Sequence, residues 1–326
     1  MLCIYNTSTE PYFNMATEEY LLKNFDEDIF MLWRNDNAVI VGKHQNSLAE
    51  INAEYVKQNN IKVVRRLSGG GTVFHDLGNL NFTFIVTGDP KDYDDFSKFT
   101  QPILDVLIGL GINARFEGRN DLTIDGLKFS GNAKHIYRNR ILQHGTLLFA
   151  SDMKDLSGAL NVNPLKFTDK KVKSVRSRVT NISEHLKEKI TLEEFSAKIM
   201  DHITGLYPES TLYKMSDQDT LKIQNLADEK YSTWEWNFGY HGEYNFNKAI
   251  KADGGFVEFH LNVEKGIIAD CRIYGDYFSL KDTKEIENTL KGTKHEETSL
   301  RQILAQFRIE DYFNNITLDE IMDGLF

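Results

Sequence analysis

Three consecutive glycines, Gly69 to Gly71, sit inside RRLSGGGTVFHDLGNLNFTF, residues 65–84, between segments that otherwise read as β-strand. Glycine costs about 0.5–1 kcal/mol relative to alanine inside a regular element. A triplet therefore marks either a loose loop or a place where another molecule approaches the backbone. IKVVRRL, from Ile61, reads as a strand entering the glycines. LNFTFIV leaves them with Leu80, Phe82, Phe84 and Val86 on one face at period two.

The rest of the chain alternates similar elements. NMATEEYLLKNF reads as a helix capped by Asn14, with Glu18 and Glu19 in its early turns. IFMLWRN and AVIVGKH read as strands. FSKFTQPILDVLIGLG has helical spacing through Phe99, Ile103, Val106, Leu107 and Leu110, and Gly111 stands where a helix stops. In DLTIDGLKFSG, Asp125-Gly126 is a two-residue hairpin signal, because both turn positions need positive φ. Lys128 then falls on the returning strand, close to the turn. RILQHGTLLFA reads as a further strand carrying His144 and Gly145, and LEEFSAKIMDHITGLY as an amphipathic helix. From about Gly242 the texture changes. GGFVEFHLNVEKGIIADCRIYG gives two or three strands, followed by helices in KEIENTLKG and SLRQILAQF and a short acidic tail helix, the pattern of a small C-terminal α/β domain.

Composition sets limits on function. A length of 326 residues suits two domains, and 41% hydrophobic with 26% charged residues is the balance of an ordinary globular protein. The formal net charge of -10 gives no overall attraction for nucleic acid. Two cysteines, Cys3 and Cys271, argue against a disulfide scaffold or thiolate cluster and fit a reducing cytosol. MLCIYNTSTEPYF has no signal-peptide pattern, and no stretch approaches the roughly 18 apolar residues of a membrane span. A soluble cytoplasmic protein is expected.

The glycine segment is neither GxxxxGK[ST] nor a GxGxxG that opens a helix. With Arg65 and Arg66 before it and Ser68 at its edge, it reads as an anion cradle of bare N–H groups beside guanidinium forks; a flexible hairpin connection is the alternative. His75 and Asp76 are adjacent on a strand, so they point to opposite faces, and one of them is read as structural. Lys128, with GRND before it and FSGNA after it, suits a cation held between two anionic reactants, although an isolated lysine beside a turn is usually solvated. Taken alone, His144-Gly145-Thr146 reads as a core histidine with a packing glycine. Lys170, Lys171, Lys173, Arg176 and Arg178 form a basic run that either is solvated or orders over a phosphate or an acidic partner. Trp234 and Trp236 read as packing residues on one strand face.

RRLSGGGTVFHDLGNLNFTF, GRNDLTIDGLKFSGNAKH and LQHGTLLF, with KSVRSRVTNIS and WEWNFG more loosely, together resemble the lipoate–protein ligase family. GGFVEFHLNVEKGIIADCRIYGDYF resembles the accessory domain of the bacterial two-domain members. The resemblance implies an α+β fold: a catalytic domain over residues 1–242, related to biotin–protein ligases and built on a mixed sheet flanked by helices, and an α/β accessory domain over 243–326. It implies that lipoate and MgATP give lipoyl-AMP, and that the acyl group passes to a lysine of a carrier. The carriers implied are the lipoyl domains of 2-oxoacid dehydrogenase E2 subunits and the glycine-cleavage H protein, with the enzyme working as a monomer.

By resemblance, Arg66, Lys128 and the backbone of Gly71, Thr72, Val73 and Phe74 contact ATP and the adenylate. Ser68, Gly70, Gly71, Lys128 and His144 line the lipoate site, Asn120 and Asp121 hold Mg²⁺, and Lys128 is the electrostatic catalyst. The acyl tail needs an apolar slot, in which octanoate should bind nearly as well as lipoate at about 0.8 kcal/mol per buried CH₂. Three other functions compete. An acyl-carrier transferase working through a cysteine thioester needs an activated thiol near the site. A biotin ligase would carry a glycine–arginine loop that is absent here, and a non-catalytic lipoate-binding or regulatory protein would need neither Lys128 nor both arginines.

Overall fold

The strands of the protein, seen in a computed structural model that describes residues 1–88, 95–160, 179–238, 245–264 and 266–326, fall into three sheets. In chain order they are β1 (Leu2–Tyr5), β2 (Ile29–Trp33), β3 (Ala38–Val41), β4 (Lys62–Arg65), β5 (Val73–His75), β6 (Asn79–Thr87) and β7 (Ala114–Glu117). After these come β8 (Asp121–Ile124), β9 (Leu127–Tyr137), β10 (Arg140–Leu148) and β11 (Thr211–Leu212), and then β12 (Phe246–Ala252), β13 (Gly255–Glu264) and β14 (Ile267–Gly275). The main sheet has the order β11-β1-β2-β6-β10-β9-β8-β7. It is mixed: β1 runs parallel to both β11 and β2, and β2 through β7 pair antiparallel along that order.

Alternation along the strands sorts the core between the two faces of this sheet. One face, with Phe30, Phe82 and Phe84, packs against the helices Ser97–Gly109 and Leu192–Leu206 through Phe99, Ile103, Phe195 and Ile199. The other face, with Met31, Trp33, Ile85 and Leu142, packs against the helix Pro11–Asn24 and against Ile40 and Val64 of the small sheet β4-β3-β5. The far side of that small sheet buries Val39, Val41, Val63 and Phe74. Residues beyond Phe246 build a separate core, in which β12-β13-β14 meet the helices Lys284–Leu290, Glu297–Leu304 and Leu318–Leu325 through Phe259, Leu261, Ile286, Leu300 and Ile321. This is the mixed sheet flanked by helices, with an appended α/β unit, that the family resemblance implied. The expected division at 242/243 falls in 239–244, and the basic run from Lys170 to Arg178 in 161–178, both outside the described residues.

Two local expectations are corrected. The first helix starts at Pro11, with Glu10 as its cap: Glu10 Oε2 accepts from Phe13 N at 2.7 Å, and Pro11 brings a φ already suited to the first turn. Asn14 is instead a buried polar hub, donating to Ser8 O, Arg34 O and Asn35 Oδ1 and accepting from Asn6 Nδ2. Trp234 and Trp236 lie on a short helix, Trp234–Asn237, which Thr233 caps by accepting from Trp236 N. Two residues apart on a helix, they do not share a face. Trp236 packs and donates its Nε1 to Arg65 O at 2.9 Å, while Trp234 is exposed.

Candidate active site

A cavity of about 590 Å³, counting its open mouth, lies between the main sheet and the small sheet. Its floor follows a row of residues that face one another across strands. Trp33 on β2 is opposite Asn81 on β6, Asn81 is opposite Thr146 on β10, and Gly131 on β9 is opposite Asp121 on β8. Gly131 N donates to Thr146 Oγ1 at 3.1 Å and closes the row. Strands lie about 4.8 Å apart, so the trough runs roughly 19 Å from Trp33 to Asp121.

Lys128 stands at one end. Asp125 and Gly126 take φ of 52° and 78°, as the hairpin signal required, and return the chain so that Lys128 pairs with Thr123. Lys128 Nζ is 2.7 Å from Asp121 Oδ1, with both side chains more than a third exposed. A Cβ at Gly131 would lie 3.0 Å from Lys128 Nζ, so this glycine clears the path of the lysine. Asn120 and Asn132 brace the same end. Asn132 N and Nδ2 each donate to Asn120 O at 3.0 Å, and the buried Asn132 Oδ1 has no protein partner.

The two arginines before the glycines have separate jobs. Arg65, expected to flank an anion cradle, is spent on structure: its guanidinium donates to Gly42 O, Lys43 O, Gln45 O, Trp236 O and Ser47 Oγ. Its position is legible only afterwards, because β4 alternation turns it away from the cavity. Arg66 lines the cavity and clamps the glycine turn, donating to Gly69 O and Gly71 O at 2.7 Å each and to Ile40 O at 3.1 Å. Burial brings its pKa down to about 10, with Glu18 opposing the shift, so it keeps its charge at neutral pH.

The glycines are also distinct from one another. A Cβ at Gly69 would meet Tyr277 O at 2.4 Å; Gly70 has φ of 88° and packs beneath the Phe278 ring. Gly71 has nothing within 4 Å of where a Cβ would be. Only the last glycine is open in the way the anion reading anticipated. The first two admit the C-terminal unit, which docks through Gly275 N to His44 O at 2.8 Å, His44 Nε2 with Ser279 Oγ at 2.9 Å, and the Arg119 guanidinium 4.6 Å from the Phe278 ring.

Behind the cavity wall runs one continuous hydrogen-bond relay. Ser68 Oγ accepts from Arg66 Nε at 3.0 Å and lies 2.7 Å from His144 Nε2. His144 Nδ1 faces both oxygens of Glu18 at 2.9 Å, which can only accept, so this nitrogen bears a proton. Trp33 Nε1 donates to Thr83 Oγ1, and Thr83 donates to Glu18 Oε1 at 2.6 Å. A buried cation and a buried anion thus stand at the ends of a chain in which each donor has an acceptor. His144 is consequently more than a core histidine. Gly145 is the packing glycine, since a Cβ there would collide with the Phe82 ring and Asn132 Oδ1.

The end of the trough away from Lys128 is also polar. His75 Nδ1 faces Asn35 Nδ2 at 3.1 Å and Asn81 Nδ2 at 3.5 Å, both of which are donors. The ring proton is therefore on Nε2, which is buried and has no protein partner. The His75 ring meets Trp33 edge-on at 6.0 Å. Asp76 turns away, accepting from Gly78 N and Asp152 N.

Of the expected site residues, Arg66, Gly70, Gly71, Thr72, Val73, Asn120, Lys128 and His144 line this cavity. Ser68 supports it from behind, and Asp121 reaches it through Lys128. Phe74 points to the opposite side of β5, into the core of the small sheet. Sequence reasoning passed over Glu18, Trp33 and Thr83. In the sequence Glu18 reads only as an acid in the early turns of its helix, and its link to His144 spans 126 residues.

Comparison with known proteins places the chain in a family. The lipoyl protein ligase A/B catalytic domain matches residues 10–204, and the bacterial lipoate protein ligase C-terminus matches 241–325. A lipoate-protein ligase of Bacillus subtilis is 42% identical, with 100% of each chain aligned. Among solved structures, P. falciparum LipL1 in complex with lipoate superposes at a TM-score of 0.80 and 25% identity, over 99% of this chain and 97% of that one. The Thermoplasma acidophilum bipartite ligase, solved with its E2 lipoyl domain as a lipoylation system, gives 0.65 at 28% identity, over 75% and 98%. Lipoate-protein ligase A bound with ATP gives 0.62 at 26%, over 73% and 98%.

Proposed function

The chain belongs to the lipoate–protein ligase family, and from that premise we propose how its own residues carry the two half-reactions. Lipoate lies along the trough with its tail toward Trp33 and its carboxylate beside Lys128. ATP enters at the mouth, where the backbone of Gly71, Thr72 and Val73 and the charge of Arg66 receive phosphate. A carboxylate oxygen attacks the α-phosphorus, the bond to the β-phosphate oxygen breaks, and pyrophosphate leaves. Two anions must meet for this step. The ammonium of Lys128 offsets their repulsion where charge accumulates, which is the work of a preorganised electrostatic group and not of a nucleophile. The observation that carries this reading is the placement of Lys128 Nζ over Gly131, at the Asp121 end of the row.

In the second half-reaction the neutral ε-amine of a carrier lysine attacks the acyl carbon, AMP departs with the C–O bond, and the amine loses a proton. E2 lipoyl domains and the glycine-cleavage H protein are the carriers of this reading, reached by the enzyme as a monomer in the cytoplasm. Residues 1–242 supply the chemistry, and 243–326 form the accessory unit that covers the glycine turn. Among the described residues no helix is long and apolar enough to cross a membrane.

Mg²⁺ belongs to the same proposal. Among the described residues no cluster of three or more His, Cys, Asp or Glu forms a dedicated metal cage. Asp121, Asn120 and the orphaned Asn132 Oδ1 are hard oxygen donors at the phosphate end, suited to an ion held by few protein ligands. Bound there, Mg²⁺ would neutralise phosphate charge. Cys3 and Cys271 are both buried, and Cys271 lies in the core of the C-terminal unit, which gives a thioester transferase no thiol at the trough. ATP–pyrophosphate exchange tests the reading: exchange that requires lipoate supports it, and none with any acid in a folded protein refutes it.

A further inference from the structure

A regular β9 would turn Lys128 away from the trough. Gly131 and Ala133 line the cavity, and side chains alternate along a strand, so counting back in twos makes 129 the next inward position. Lys128 would then face the helices. The ladder shows how this is avoided. Asp121 pairs with Gly131 and Leu122 with Ser130, but the next residue of β8, Thr123, pairs with Lys128. Phe129 is therefore one residue too many on β9, a β-bulge of the kind that re-aims a side chain beside an active site. Phe129 is fully buried with Leu122 and Ile124 in the core beneath the helices Ser97–Gly109 and Leu192–Leu206. Lys128 joins Asp121 on the opposite face, with its Nζ 2.7 Å from the carboxylate.

The backbone of Lys128 is held on both edges. Thr123 pairs with it on one side. β10 pairs with β9 only as far back as Asn132, so it does not reach the other side. Val179 bridges to Lys128 there, in parallel, and Thr180 N donates to Lys128 O at 2.9 Å. With the main chain fixed in this way, the fate of the extra residue decides which way the ammonium points.

We propose that Phe129 is a positioning residue for acyl activation: its buried ring anchors the bulge that aims Lys128 into the trough. This rests on the role given to Lys128 in adenylation. A ring locked in a close-packed core does not slide along the strand. Without it, nothing opposes the regular pairing that sets Thr123 opposite residue 129 and Lys128 opposite Ile124, on the helix side. Stabilising two anions as they meet depends on where the cation sits, so a misaimed lysine costs rate more than substrate affinity.

The test is a double-mutant cycle on single-turnover formation of the acyl-adenylate from lipoate and ATP with Mg²⁺. Phe129→Ala should lower the rate by up to about 10²-fold, the scale of misplacing a reacting group by about 1 Å. KM for ATP and for lipoate, from pyrophosphate exchange, should hold. Phe129→Leu, which refills most of the volume, should show a smaller loss of the same kind, and it decides the matter if the alanine variant does not fold. In a Lys128→Met background neither substitution should slow the reaction further, because no ammonium is left to aim. A general structural defect would cost the same factor in both backgrounds. That result, or wild-type rates in both folded variants, overturns the proposal. The wild type provides a check without any variant. Cross-strand proton contacts in its NMR spectra should pair Thr123 with Lys128, whereas Thr123 opposite Phe129 and Ile124 opposite Lys128 overturns the bulge. No exchange by the wild type with any acid removes the adenylating reading and this role together, while lipoate-dependent exchange that both Phe129 variants leave untouched removes Phe129 alone.

Discussion

Glu18 faces His144 Nδ1 with both carboxylate oxygens, each 2.9 Å away, from a helix that precedes the histidine by 126 residues. Through Ser68 this contact reaches the guanidinium that clamps the glycine turn. The relay gives a buried arginine an anionic counterpart without a direct ion pair, and it fixes Ser68 as a spacer: fully buried and bonded on both sides, its hydroxyl has no route to attack a substrate.

Glu18→Gln and Ser68→Ala should each lower kcat/KM for adenylation, and the double variant should lose less than the two single losses combined. Members of one network couple by about 0.5–3 kcal/mol. Strictly additive losses in the double-mutant cycle would mean that Glu18 and Ser68 act on Arg66 independently.

Lys128→Met should leave the fold intact, because the side chain is more than a third exposed. Adenylate formation should drop about 10²–10³-fold, the cost of removing one preorganised electrostatic group. Single-turnover assay of lipoyl-AMP is the direct measurement, and a normal rate would remove Lys128 from the mechanism.

Gly69→Ala and Gly71→Ala should behave oppositely. At Gly69 the new methyl meets Tyr277 O, so stability should fall by about 1–3 kcal/mol, as overpacking does. Amide exchange in residues 275–279 should accelerate with it. At Gly71 the methyl meets open space, so the melting temperature should hold while KM for ATP rises. Equal loss of stability in both would contradict the division of labour within the turn.

Acid should weaken the fold through two buried histidines. Burial pulls His44 well below its usual range, with Lys43 and Arg65 adding to the effect and Asp282 opposing it, and it holds His75 down to about 3. Well above about pH 6.5 both residues are neutral in the folded and the unfolded state alike, so neither affects the pH dependence of stability. As pH falls below about 6.5, the unfolded chain takes up protons that the native state refuses, at about 1.4 kcal/mol per pH unit for each residue. Denaturation midpoints should therefore drop from pH 6 to 4, less steeply in His44→Gln; an unchanged slope in that variant would clear His44 of any part in it.

Local signals were legible in the sequence where short-range chemistry decides the structure. Asp125-Gly126 demanded positive φ and delivered Lys128 to the trough, and period-two spacing in LNFTFIV placed Phe82 and Phe84 on the packed face. What escaped were relationships made by folding over long separations. Nothing near Glu18 announces His144, and nothing near Gly69 announces Tyr277. Arg65 and Arg66 look equivalent as neighbours, yet strand alternation sends one into structure and the other to the cavity. The tryptophan pair reads as a strand with period two, whereas the Thr233 cap starts a short helix there.

The row from Trp33 through Asn81, Thr146 and Gly131 to Asp121 makes the trough a ruler graduated in strands. Its marks are about 4.8 Å apart and are fixed by backbone pairing. Sliding β10 by one residue would turn His144 and Thr146 to the other face and dismantle the site. With the acyl chain lying along the trough as proposed, chain-length preference cannot drift by small shifts of the sheet. It must change through side-chain volume at the Trp33 end, one substitution at a time.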